Sequence, residues 1–190
     1  LAKLYLKLAD TTSWRKEINF CKDFMSGKKN TVLQAVYYSE LCQQYFTMLK
    51  YDSAQSFGVK YMNLKQQPSS KDFGHISAIL GYCQFRNQKY PEAEAFYIQA
   101  ENYFISKGYR CELPLVYNKM ALLKSALNEH DQAYEFTRLS LQIADSCHIE
   151  EYKLNTYLVL VQLYSKQERY KEAFLAQKEL TKLQTKINAD

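Results

Sequence analysis

One tetrad of letters returns along the chain at a fixed distance. Tyr90-x-x-Ala93 recurs as Tyr51-x-x-Ala54, His130-x-x-Ala133 and Tyr170-x-x-Ala173, and the alanines are separated by 93 − 54 = 39, 133 − 93 = 40 and 173 − 133 = 40 residues. Twelve residues before each alanine stands a small or apolar residue, Cys42, Gly81, Ala121 or Val161, directly preceded by Leu41, Leu80, Met120 or Leu160. Three positions earlier again come Tyr38, Ser77, Tyr117 and Tyr157. One period further back, Trp14 takes the alanine place, and Leu1-Ala2 followed by Tyr5 matches Leu41-Cys42 followed by Tyr45. Self-similarity at this interval means a stack of like supersecondary units, here five, the first cut off at its start.

Each unit reads as two helices. Tyr157, Leu160, Val161 and Tyr164 fall at i, i+3, i+4 and i+7, and Tyr38, Leu41, Cys42 and Tyr45 repeat that spacing, which puts the apolar residues on one helical face. Second helices begin near Asp52, Pro91, Asp131 and Tyr170; Pro91 suits a first helical position, where its missing N–H would have no partner. Breakers or their stand-ins mark the junctions: Gly27, Pro68 with Ser69 and Ser70, Gly108 with Pro114, and His148. Only 5 glycines and 3 prolines occur in 190 residues, too few for the tight turns of a sandwich or barrel. The expected helices cover residues 1–9, 12–26, 33–49, 53–66, 72–87, 91–107, 114–128, 131–147, 150–167 and 170–188.

Leu80-Gly81 with Ala93-x-x-x-Tyr97-x-x-Ala100, and Tyr157-x-x-Leu160-Val161-x-x-Tyr164 with Tyr170-x-x-Ala173, resemble the tetratricopeptide repeat family. The resemblance covers the whole chain and implies an all-α fold, an α-α superhelix of about five helix-turn-helix repeats in a single array spanning 1–190. The repeats run over 1–27, 33–67, 72–108, 112–147 and 150–188. The period is 40 where the common repeat has 34, and Gly58, Thr137 and Gln177 replace the aromatic that follows the first alanine. The longer period is similar to that of arrays in bacterial regulators and sensor proteins, where longer helices absorb the extra residues.

Small residues are expected at helix contacts, because two helices approach to about 8–10 Å only where one presents an alanine or glycine to a larger partner. The tyrosines at repeat-defining positions (Tyr5, Tyr38, Tyr45, Tyr51, Tyr90, Tyr117, Tyr157, Tyr164, Tyr170) read as packing residues with rim hydroxyls rather than as a platform for bases. A net charge of +5 spread along the chain gives no nucleic-acid footprint. The five cysteines are odd in number, far apart and never in a CxxC pair, so they read as buried small hydrophobes in a reducing compartment and not as a disulfide framework or zinc site. That favours the cytoplasm, with the bacterial periplasm as the alternative for a sensor. No catalytic, metal-binding or cofactor motif occurs, His75, His130 and His148 lie on different repeats, and no apolar run reaches a membrane span. A non-enzyme with no cofactor is expected.

Function then falls to the surfaces. First helices line the concave side of such a stack, which places Gln43, Thr47, His75, Tyr82, Arg86, Asn118, Lys119, Asn155, Gln162 and Lys166 along a groove with Phe46, Phe85, Leu115 and Leu122. Amides and cations in that arrangement suit an extended peptide with acidic groups. In the last helix, Ala173, Ala176, Leu180, Leu183 and Ile187 make a heptad seam, which serves either packing within the chain or dimerisation through a longer coiled coil. The expected function is a protein- or peptide-interaction or sensory module, the repeat region of a larger bacterial signalling or transcriptional regulator whose output domain lies elsewhere. The alternatives are a structural adaptor in a multiprotein assembly and a single-stranded nucleic-acid binder.

Overall fold

The computed structural model describes residues 31–64 and 71–189. Among them are eight α-helices and no strand: α1 (Thr31–Thr47), α2 (Tyr51–Met62), α3 (Asp72–Arg86), α4 (Tyr90–Ser106), α5 (Leu113–Ala126), α6 (His130–Ser146), α7 (Glu150–Lys166) and α8 (Tyr170–Ala189). Each matches an expected helix of the second to fifth copies. The fold is an all-α helical repeat. The helices expected over 1–9 and 12–26, and with them Tyr5, Trp14, Cys21 and Gly27, lie outside the described residues, as does Pro68. The chain forms two compact units, residues 1–79 and 80–190.

One turn closes every reversal that lies wholly within the described residues. Leu49, Gln88, Gly108, Asn128, His148 and Glu168 all have positive φ, between 55 and 72°. From Gln88 onward they are twenty residues apart (108 − 88 = 20, and so on to 168 − 148 = 20). At Gln88 the N–H donates to Phe85 O at 3.0 Å and Lys89 N–H donates to Gln84 O at 3.0 Å; the other five turns repeat this pair of bonds. That is the Schellman arrangement, which satisfies the last carbonyls of a helix while turning the chain back. Of the expected breakers, Gly108 and His148 occupy it. Pro114 instead acts inside a helix start: with no N–H to give to Arg110 O, the first turn tightens into a 3-10 segment, Arg110–Glu112, that leads directly into α5.

In the first unit α1 packs on α2, with Ala35, Cys42 and Ala54 fully buried and the Tyr45 and Phe57 rings parallel at 5.4 Å. In the second, each helix from α4 to α8 packs on the next, and α5 also packs on α7, a contact from one repeat to its neighbour. Ala121, Ala133, Val159 and Leu163 form a core cluster there. Ala93, Ala100 and Tyr97 are fully buried. A Cβ added to Gly81 would lie 2.5 Å from Tyr97 Cε1, so the ring occupies the space a side chain would need. The sequence departures at this place become intelligible. Where Gly81 is replaced by Ala121, the buried counterpart changes from Tyr97 to the smaller Thr137, and opposite Val161 the counterpart Gln177 is exposed and leaves the contact.

Two expectations are corrected. Tyr170 is 69% exposed rather than packed. Phe46 meets Tyr51 and Phe85 meets Tyr90, with ring centroids 5.8 and 5.9 Å apart across the turn, but Ser165 holds the phenylalanine place before Tyr170 and leaves its ring nothing to pack on. Cysteine usage is the second: Cys111 and Cys147 form a disulfide with Cα atoms 5.9 Å apart. Thirty-six residues separate them in sequence; the antiparallel pair α5 and α6 brings the 3-10 turn before one helix beside the capping residue just after the other. Cys42 and Cys83 are buried.

Closing a loop of 36 residues stabilises by about 3–4 kcal/mol. Cys147→Ser should lower the free energy of unfolding in urea by about that much, and an unchanged unfolding midpoint would count against the cross-link. Gly81→Ala should cost roughly 1–3 kcal/mol through the clash with Tyr97. Tyr97→Phe should instead stabilise by about 1 kcal/mol, since its buried hydroxyl has no hydrogen-bond partner among the described residues; thermal melts of the two variants moving in the same direction would refute this packing.

Candidate peptide-binding groove

The expected groove residues divide between the two compact units. In the first, Gln43 and Thr47 on α1 and His75 on α3 are half-buried, and the Thr47 hydroxyl donates to Gln44 O at 2.8 Å, closing the helix end. In the second, Tyr82 and Lys119 are half-buried, Asn118 is buried, and Arg86, Asn155, Gln162 and Lys166 are exposed.

The structure brings Tyr82 and Lys119 together: the Lys119 ammonium lies 4.8 Å from the Tyr82 ring centroid, a cation–π contact. The repeat explains why the lysine stands out. Its counterparts forty residues to either side are Ile79 and Val159, both 7% exposed, so Lys119 is a cation where both flanking repeats place a core hydrophobe; the second repeat has the exposed Glu40 there. Loss of hydration pulls its ammonium down to about 8, with the nearby Cys83 acting in the opposite sense. Next to it in the chain, Asn118 is 7% exposed and its Oδ1 has no hydrogen-bond partner among the described residues.

Lys166 serves a different purpose. Its ammonium donates to Ser125 O at 2.6 Å, satisfying a terminal carbonyl of α5 from the neighbouring repeat.

Sequence reasoning missed a set of polar contacts that join repeats, all legible as fixed offsets. Glu94 pairs with Lys124 at 2.8 Å, and Lys124 also with Glu129 at 3.0 Å. Forty residues on, the same three places hold Tyr134, Tyr164 and Arg169: the rings stack at 5.2 Å and the guanidinium lies 5.4 and 4.9 Å from their centroids. Deeper in, Ser140 and Thr156 share a buried hydroxyl–hydroxyl bond of 2.8 Å. Beside the disulfide the Tyr152 hydroxyl donates to the buried Glu112 carboxylate at 2.6 Å, and burial together with that carboxylate pushes the phenol well above its ordinary range.

Among the described residues no cluster of His, Cys, Asp or Glu is placed to hold a metal ion, and no helix is long and apolar enough to cross a membrane. The heptad seam of α8 is largely used within the chain: Ala173, Ala176 and Leu180 are buried, Leu183 is half-buried and Ile187 is 41% exposed.

No protein-family model and no curated protein matches the sequence. Among solved structures, the fold is similar to the crystal structure of BtubC (BKLC) from P. vanneervenii, with a TM-score of 0.73 at 18% sequence identity. The likeness covers 98% of this chain and 79% of that one. At that identity it concerns the fold alone.

A lysine whose pKa is lower in the folded than in the unfolded chain binds fewer protons when folded, so stability rises with pH between the two values. For Lys119 the interval runs from about 8 to the ordinary 10.5. Lys119→Met should therefore be more stable than the parent at pH 7, by roughly 2–3 kcal/mol, with the difference closing as pH approaches 10.5. A constant offset between the two urea-unfolding profiles over pH 7–10 would contradict the desolvated ammonium.

Proposed function

We propose that the chain is a tetratricopeptide-like, non-catalytic interaction module whose first-helix face binds an extended acidic peptide, as the recognition region of a bacterial regulator or sensor. The observation that carries this reading is Lys119. Its charge sits where the flanking repeats place isoleucine and valine, at a cost in desolvation that packing alone does not explain. Tyr82 holds the ammonium from one side, and Arg86 is exposed on the same helix as Tyr82. Cations and amides at helical spacing can meet both the carboxylates and the backbone of a bound peptide.

The Cys111–Cys147 bond bears on where such a module works. Structural disulfides persist in oxidising surroundings, so the periplasmic or otherwise extracytoplasmic setting of a sensor is favoured over the cytoplasm.

A fluorescein-labelled nonapeptide of repeated Glu-Asp-Leu tests the reading by anisotropy. Binding with a Kd of about 10–100 µM is expected, weakening by at least about tenfold when Arg86 and Lys119 are both changed to Glu. It should also weaken as pH rises through about 8, where Lys119 loses its charge. Undiminished binding to the doubly reversed protein would reject the groove.

A further inference from the structure

We propose that the outward face of α8 is a second interaction surface, and that its occupant is an acidic amphipathic helix. This does not rest on the groove reading. Lys171, Phe174, Leu175 and Lys178 fall at i, i+3, i+4 and i+7, a single helical stripe distinct from the buried Ala173, Ala176 and Leu180. Phe174 is 69% exposed and Leu175 53%, with the exposed Tyr170 ring at the head of the stripe.

The repeat says what kind of element belongs there. Phe174 is the counterpart of Glu94 and Tyr134, forty residues apart in turn. In both of those repeats this position is met by a helix thirty residues further on, through the Glu94–Lys124 ion pair and the stacked Tyr134 and Tyr164 rings. The place is therefore built to meet a helix.

Charge narrows the partner. The only acids of α8, Glu172 and Glu179, are tied to Arg169 at 2.7 Å and to Lys182 at 2.5 Å. Lys171 and Lys178 make no ion pair among the described residues and flank the phenylalanine with positive charge. A second copy presenting the same stripe would set lysine against lysine, a costly juxtaposition. An acidic helix with an apolar face meets both the ring and the cations.

The probe is a synthetic peptide of two Glu-Leu-Leu-Glu-Glu-Trp-Leu heptads, with a counter-probe carrying Lys for every Glu, titrated against the 190-residue chain. The acidic probe should bind, and Phe174→Ala or the pair Lys171→Glu with Lys178→Glu should each weaken it about tenfold. Arg86→Glu with Lys119→Glu should leave it within about twofold, which separates this face from the groove. The three substituted positions of the stripe are exposed, and unchanged circular-dichroism melts will establish that the variants fold. Equal binding of both probes, or indifference to Phe174→Ala, would overturn the proposal. So would a dimer in sedimentation velocity that Phe174→Ala disperses, which would assign the face to a second copy. Binding to phosphatidylserine vesicles without binding to the acidic helix would assign it to a membrane.

Discussion

Each reversal that lies wholly within the described residues is closed by a single residue in the left-handed conformation, and the rest of the structure inherits its spacing. With one such turn every twenty residues, a helix has room for 17 residues before the chain must reverse, which is the length of α4, α6 and α7. Two helices and two turns then make the forty-residue period. Relative to the common 34-residue repeat, each helix gains about three residues, or roughly 4.5 Å. Even α5, shortened to 14 residues by Pro114, recovers the length through its three-residue 3-10 lead-in. Only Gly108 among the six turn residues is glycine. The five others each accept a cost of about 1–2 kcal/mol in backbone strain, offset by the two carbonyls the turn satisfies.

That economy of glycine explains both what could be read from the letters and what could not. Helix positions followed from alanine and aromatic spacing because packing small against large needs particular side chains, as at Gly81 and Tyr97. Turn positions were harder. The left-handed residues include Leu, Gln, His and Glu, types that carry no turn signal, and His148 could be placed only by counting periods. Tyr170 was misjudged because the ring at this place relies on a phenylalanine across its turn, as Tyr51 does on Phe46 and Tyr90 on Phe85, and Ser165 in the fifth repeat removes that support.

The candidate site was legible in part and for similar reasons. Lys119 and Tyr82 could be assigned to one face from helical geometry, and they meet. Lys166 could be assigned to the same face, but no sequence rule reveals that its ammonium ends on the Ser125 carbonyl of another repeat. The burial of Asn118 was equally hidden, since its counterparts range from the buried Ala78 to the exposed Leu158. Cross-repeat contacts such as Tyr134 with Tyr164 and Glu112 with Tyr152 emerge only when offsets of thirty and forty residues are examined together. The disulfide was the clearest omission: counting cysteines treats them as a set, whereas one repeat's own hairpin selects the pair.

A stack of repeats behaves as a one-dimensional lattice, in which opening starts at an end and travels by breaking one interface at a time. The Cys111–Cys147 bond ties the 3-10 segment that leads into α5 to the residue that caps the end of α6, so the start and end of that helix pair cannot part. A wave of fraying that enters through α8 and α7 meets there a unit that can loosen but cannot unroll. The bond thus acts as a domain wall in the array, separating a C-terminal segment that can open and reclose from the helices before it.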